Sequence, residues 1–185
     1  RHNITITLYK VKMNPLDYII YKPLPNYFNE IEEYNRNNGW NSAELTPDDY
    51  DINVVKPGHC GLKHIKEITI PKIDKIKDKI DGFFLIEGDV KIDINYKQFL
   101  ELNIDKPTWL GYKKKLKEYI VGNFLIYIPI QFFQKFKELL GKQTRLIYSD
   151  RFFTKLYFSN WLHLHPHSLA HEVPHYSNVI NKIRY

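Results

Sequence analysis

Gly82-Phe83-Phe84-Leu85-Ile86-Glu87-Gly88-Asp89-Val90 decides how the rest of the chain is read. Four consecutive apolar residues, bounded by glycine and charge, have the length and pattern of a strand buried on both faces. The run then ends in two carboxylates with a glycine between them. In open α/β sheets, ligands gather just beyond the carboxyl ends of such strands. Glu87 and Asp89 are poor core material there, but good oxygen ligands for a hard divalent cation. The plainer alternative is a strand that runs out into a solvated acidic turn. The stretch alone does not choose between them.

Working outward, residues 72–79 mix lysines with Asp74 and Asp78, while Ile73, Ile76 and Ile80 form an apolar stripe at helical spacing. Before it, Pro57-Gly58-His59 opens a helical stretch that Pro71 should end or kink. Residues 3–12 alternate Ile4, Ile6 and Leu8 with Thr5, Thr7 and Tyr9, which predicts a first strand. Phe28, Ile31 and Tyr34 predict an amphipathic helix over 27–35, stopped at Asn37-Asn38-Gly39. Residues 40–51 are polar and acidic and read as a surface loop.

On the other side of the acidic turn, the pattern predicts a helix at 96–102 and a strand at 108–112. Residues 119–128 are apolar around Gly122-Asn123 and read as a strand or hairpin. Pro129 suits the first position of a helix running to Leu140 and closed by Gly141. Ser149 or Asp150 can cap another helix, packed through Phe152, Phe153, Leu156, Tyr157 and Trp161. Strands alternating with helices predict an α/β domain, and 185 residues suffice for one such domain with a real core.

A hydrophobic share of 43% excludes a disordered chain. No apolar run approaches the roughly 18–20 residues of a membrane span, and no secretory signal is visible. The lone Cys60 excludes an intramolecular disulfide framework and multi-cysteine zinc motifs. These features predict a soluble chain of the cytoplasm. The abundance of Lys, Asn, Ile and Tyr points to an AT-rich coding genome. A viral source would place the chain in host-cell cytoplasm or with the virion. The net charge of +6 suits an anionic partner such as a nucleotide sugar, a nucleic acid or a membrane surface, though it also fits a solvated lysine-rich face.

Several segments resemble, in order, those of family 25 glycosyltransferases, which include bacterial lipooligosaccharide sugar transferases and collagen galactosyltransferases. Gly58-His59-Cys60-Gly61-Leu62-Lys63-His64-Ile65 resembles that family's glycine-led segment ending in Ser-His. Leu85-Ile86-Glu87-Gly88-Asp89-Val90 resembles its strand ending in Glu-Asp-Asp-Val, and Trp109-Leu110-Gly111 its following strand and glycine. Residues 122–140 look like its glycine, aromatic strand and helix, and Asp150 falls where it carries an Asp before a helix. Residues 166–180, with Leu169, His171 and Ser177, resemble its closing segment. The likeness spans about residues 57–180, and the first 56 match poorly. Gly88 replaces a carboxylate, Lys63 a Ser and His171 a Gln, and the Arg expected after the first strand is not evident.

The resemblance implies a GT-A-like fold, a mixed central sheet flanked by helices. It also implies an inverting, metal-dependent hexosyl transfer from a nucleotide-diphosphate sugar to a hydroxyl of a glycan, protein or other acceptor. Mn²⁺ or Mg²⁺ would neutralise the departing diphosphate. Asp89 would bind it, Glu87 would bind it or reach the donor, and Gly58 and His64 would border the nucleotide. Asp150 would be the base that takes the acceptor proton late in the reaction; its competing role is a helix cap. Asp93 is a candidate helper at alternation from Asp89, and otherwise a surface carboxylate.

Five of the eight histidines, His163, His165, His167, His171 and His175, cluster near the C-terminus. His171, or else His165 or His167, can supply an imidazole to a transition metal. His165-x-His167 followed by Glu172 also resembles one cupin half-motif, without the second half. Otherwise the imidazoles serve loop backbones. Two rival functions stand beside sugar transfer: a basic nucleic-acid module stacking bases on exposed aromatics, and a degenerate transferase retained as an interaction domain.

Overall fold

The structure, a computed structural model, describes residues 7–11, 27–40, 62–63, 65–87, 90–122, 125–145 and 147–173. Strand β1 (Thr7–Val11) lies parallel to β2 (Gly82–Glu87), the apolar run that ends in the carboxylates. On its other side β2 pairs antiparallel with β7 (Leu125–Pro129), which pairs antiparallel with β4 (Thr108–Gly111). β8 (His163–Leu164) then adds parallel to β4, so the sheet order is β1-β2-β7-β4-β8. The sheet is mixed, with β7 alone running against the other four.

β2 is buried on both faces because its apolar residues alternate between two cores. Phe83 and Leu85 join Trp109, Ile126 and Ile128 in one core. Helix α2 (Ile70–Ile76) covers that face with Ile73, α4 (Phe133–Lys142) with Phe133, Phe136 and Leu140, and α5 (Ser149–Phe158) with Phe152, Phe153 and Leu156. Phe84 and Ile86 point the opposite way, to Leu110, Leu125 and Tyr127. There Phe84 meets Trp40, Phe99 and Tyr127 at ring-centroid distances of 5.1, 4.9 and 4.8 Å. Burying each such side chain is worth about 1.5–3 kcal/mol, so the strand has no alternative position at a sheet edge.

The helices follow local chemistry. Asn95 and Gln98 form a reciprocal capping box on α3 (Tyr96–Glu101), each amide oxygen accepting from the other's backbone N–H at 2.9 Å. Pro71 marks a change of helix type: a π-helical turn at Ile65–Thr69 passes into α2, with Pro71 in its first turn. α5 ends in a Schellman turn. Asn160 takes the left-handed conformation (φ 61°), Asn160 N–H donates to Tyr157, and Trp161 N–H reaches back to Leu156.

Some expectations fail for identifiable reasons. Trp40 is 2% exposed rather than part of a surface loop, its indole N–H donating to the Ile94 carbonyl at 2.9 Å. Pro129 closes β7 in an extended conformation (ψ 145°), and α4 begins only after a 3-10 turn at Ile130–Phe132. α4 also runs through Gly141 to Lys142. The backbone that caps α5 is Tyr148, which places Ser149 and Asp150 inside the first turn. Finally, residues 119–128 divide between two sheets. β6 (Ile120–Val121) pairs with β5 (Lys114–Lys115) in a small hairpin, and β7 joins the main sheet.

After residues 88–89, β3 (Val90–Ile92) stands outside the main sheet and pairs antiparallel with β9 (Ala170–Glu172). The outer edge of β3 is held by one side chain from α1 (Tyr27–Asn37). Asn35, 6% exposed, donates through Nδ2 to the Val90 carbonyl at 3.0 Å and accepts through Oδ1 from Ile92 N–H at 2.9 Å. One amide thus does the work of a neighbouring strand. Asn35→Ala should leave both buried backbone groups without this partner and cost about 2–4 kcal/mol. A chemical-denaturation midpoint within 0.5 kcal/mol of wild type (about the noise of a surface substitution) would show that the clamp is dispensable.

Candidate active site

The strand ends form one row. Val11 lies opposite Glu87, Ile86 opposite Leu125, and Gly111 also opposite Leu125. The carboxyl ends of β1, β2 and β4 therefore sit together at the edge where β7 starts. Glu87 occupies the interior of that row rather than its corner. Gly58, His64, Gly88 and Asp89 lie outside the described residues, as does the side chain of Glu87.

The C-terminal segment is stitched along β4 towards this edge. His163 N–H donates to Pro107 O, His165 N–H to Trp109 O and Leu169 N–H to Leu110 O. From there β9 crosses over to β3. Gly111 permits the crossing, because a Cβ on it would lie 2.7 Å from the Ala170 Cβ and 3.0 Å from the Leu125 Cβ. The β3–β9 ribbon is held against the carboxyl ends of the strands.

On that ribbon Lys91 stands opposite His171, and Asp93 N–H donates to the Leu169 carbonyl at 2.8 Å. Lys91, Asp93 and His171 therefore share one face, while Val90, Ile92 and Ala170 fill the core on the other. Lys91 turns its ammonium over the Tyr34 ring, 4.6 Å from the centroid. Asp93 turns to His171, with Oδ1 2.5 Å from Nδ1. Their side chains remain 40% and 52% exposed, so a ligand can reach them. With Nδ1 committed to the carboxylate, Nε2 is the ring atom presented to any further partner. Alternation along a continuous strand does not account for Asp93, since β2 and β3 belong to different sheets. Cross-strand pairing places it.

The other histidines divide. His165 Nδ1 lies 2.7 Å from the His167 carbonyl, to which it donates when protonated there, and 3.3 Å from the His167 nitrogen, so that ring braces its own loop. Glu172 lies opposite Val90 on β9, and the mixed sheet with helices is no cupin barrel. Among the described residues, no group of three or more His, Cys, Asp or Glu side chains could hold a metal. A cation here would need donors beyond these described side chains.

Asp150 is built into a different contact. Its carboxylate lies beside Tyr119, which belongs to the hairpin after the carboxyl end of β4. Burial first, then the neighbouring Asp150 carboxylate, push the Tyr119 phenol well above its ordinary value, while Arg151 acts in the opposite sense. No contact among the described residues joins Asp150 to Asp93 or His171. The basic excess of α2 is partly neutralised at the surface: Asp74 pairs with Lys77 at 3.3 Å and Lys137 at 3.0 Å, which holds its carboxyl below the usual range. Replacing Asp150 with Asn removes the charge that opposes tyrosinate, so the Tyr119 pKa should fall, whereas Arg151→Ala should raise it. NMR titration of labelled tyrosine, assigned with Tyr119→Phe, measures both shifts. An unchanged titration in Asp150→Asn would show that the two groups do not interact.

No protein-family model and no curated protein sequence matches the chain. Solved structures do. A glycosyltransferase involved in the glycosylation of the major capsid of PBCV-1 superposes with a TM-score of 0.54 at 13% identity, covering 86% of this chain and 79% of its own. Weaker likenesses are CTP:phosphocholine cytidylyltransferase from Streptococcus pneumoniae (TM-score 0.46, 9% identity, 98% and 99% covered) and a nucleoside-diphosphate-sugar pyrophosphorylase from Vibrio cholerae (0.47, 9%, 98% and 100%). The chain has a mixed α/β, GT-A-like fold, and in that fold it is similar to a glycosyltransferase.

Proposed function

We propose that the chain transfers a hexosyl group from a nucleotide-diphosphate sugar to an acceptor hydroxyl with inversion, as a divergent relative of family 25 glycosyltransferases. The observation that carries this reading is the placement of Glu87 within the row of strand ends, with the Asp93–His171 pair on the adjoining ribbon. Ligands of open α/β sheets bind at such an edge. The +6 net charge favours an anionic donor.

The donor set fits a divalent cation. Two carboxylates and one imidazole suit Mn²⁺, with Mg²⁺ taking more of its coordination from oxygen. Glu87, Asp89 and His171 would hold the ion, which supplies Lewis-acid stabilisation of a diphosphate leaving group. Asp93 has the place of the carboxylate that fixes the tautomer and ring orientation of a ligating histidine through its other nitrogen. Gly58 and His64 would border the nucleotide. In the transfer, the acceptor oxygen bonds to the anomeric carbon as the bond to the diphosphate oxygen breaks. Asp150 takes the acceptor proton as that hydroxyl becomes acidic.

Thermal shift with UDP-, GDP- and other nucleotide sugars, with and without Mn²⁺, tests this directly. A donor at 100 times its Kd should stabilise the protein by about 2.7 kcal/mol, a rise of roughly 5–10 °C for a chain of this size. Asp89→Ala and His171→Ala should erase the Mn²⁺-dependent part of the rise. Asp93→Asn should weaken Mn²⁺ binding by about 10–100-fold. Asp150→Asn should keep the thermal shift but lose turnover. If no nucleotide sugar raises the melting temperature, or Asp89→Ala leaves the metal-dependent rise intact, the proposal fails.

A further inference from the structure

A cavity of about 510 Å³ lies along β8, three strand positions from β2 in the sheet. At the usual strand spacing, about 14 Å separates the two strands. Its floor is the chain from residues 162 to 166; one wall is the C-terminal turn of α5, and the other is the hairpin arm that carries Tyr112 and Lys115. Small-ligand sites run from roughly 300 to 1,000 Å³, so the size is that of a binding cleft.

The lining has a distinct chemistry. Tyr112, Tyr157 and Phe158 supply aromatic surface, Asn160, His163 and His165 supply planar polar groups, and no carboxylate is among the lining residues. Phe158 is 50% exposed, a large apolar ring left facing water at the lip. The cleft is also held in shape. Lys115 Nζ donates to Tyr157 Oη at 2.9 Å and lies over its ring, 5.2 Å from the centroid. Tyr112 Oη donates to the carbonyls of His165 at 3.0 Å and Pro166 at 3.2 Å. The Schellman turn fixes Asn160. Tyr112, Lys115 and Tyr157 therefore lose little side-chain freedom on binding.

The wall contributed by α5 is its C-terminal end, where the helix dipole is negative and its last carbonyls lie. That polarity favours a ligand rich in O–H donors, and it opposes the charge of Lys115, the one lysine of the lining. Aromatic faces match the C–H face of a pyranose ring, and planar polar side chains match its hydroxyls. We propose that this cleft is a saccharide-binding subsite, and that it holds a ring of the acceptor remote from the reacting hydroxyl, since about 12 Å of helix separates Phe158 from Asp150 at the start of α5. Its role as the acceptor site rests on the transferase reading above. The two substrates would then occupy separate parts of the sheet, the diphosphate beside β2 and the acceptor ring beside β8.

Saturation-transfer difference NMR with methyl glucosides, galactosides and mannosides of both anomeric forms, in the absence of nucleotide, tests the site. At least one glycoside should receive saturation. Phe158→Ala should weaken its binding at least tenfold, with the unliganded melting temperature unchanged because the ring is half exposed. Phe158→Tyr should restore binding. The nucleotide-sugar thermal shift should be the same in wild type and Phe158→Ala. Absence of saturation for every glycoside, equal saturation in Phe158→Ala, or displacement of the glycoside by UDP would overturn the assignment. A glycoside that binds through Phe158 while no nucleotide sugar stabilises the protein would support the subsite and refute the transferase reading.

Discussion

The structure depends on one strand having no exposed face. Phe83 and Leu85 fill the core beneath α2, α4 and α5, while Phe84 and Ile86 fill the core around Trp40 and Phe99. A strand buried this way must be interior to the sheet, flanked by β1 and β7. Charged residues cannot continue such a strand, because burying an unpaired carboxylate costs far more than an apolar side chain returns. Hence the chain must emerge from the sheet at Glu87, and it emerges in the middle of the strand-end row.

Past that exit, polar contacts hold the chain rather than the main sheet. Asn35 satisfies one edge of β3 and β9 satisfies the other. The ribbon is pressed onto the main sheet where Gly111 lacks a side chain. Asp93 and His171 come together as a consequence, on the solvent face of a ribbon whose opposite face is core. A carboxylate and an imidazole are fixed beside the strand ends by packing beneath them, which is how a site acquires a defined geometry while remaining open.

The histidine-rich tail gains its meaning from the same arrangement. It is a strand and a loop that bond along β4 in succession, followed by a second strand that pairs with β3. Within it, His165 supports its own loop, His163 lines the β8 cleft, and His171 meets Asp93. Clustering along the sequence therefore does not mean clustering in space. Three neighbouring histidines serve two different places, since His165 lines the β8 cleft beside His163 while His171 stands on the ribbon.

Much of the fold was legible locally. The apolar run of β2, the Ile73 stripe and the Asn-Gly stop after α1 each specify an element from a few adjacent residues. The emergence of Glu87 at a sheet edge also followed from the sequence, since burial period and strand length are local properties. Local patterns misread Pro129, whose fixed φ suits a strand end as well as a helix start, and Trp40, whose polar neighbours concealed a buried ring. Only the tertiary structure decided which distant groups meet. Asn35 reaches β3 across 55 and 57 residues, and Asp93 reaches His171 across 78. Nothing near any of them in the chain marks the partner, because strand register is set by which faces of the whole sheet must be buried.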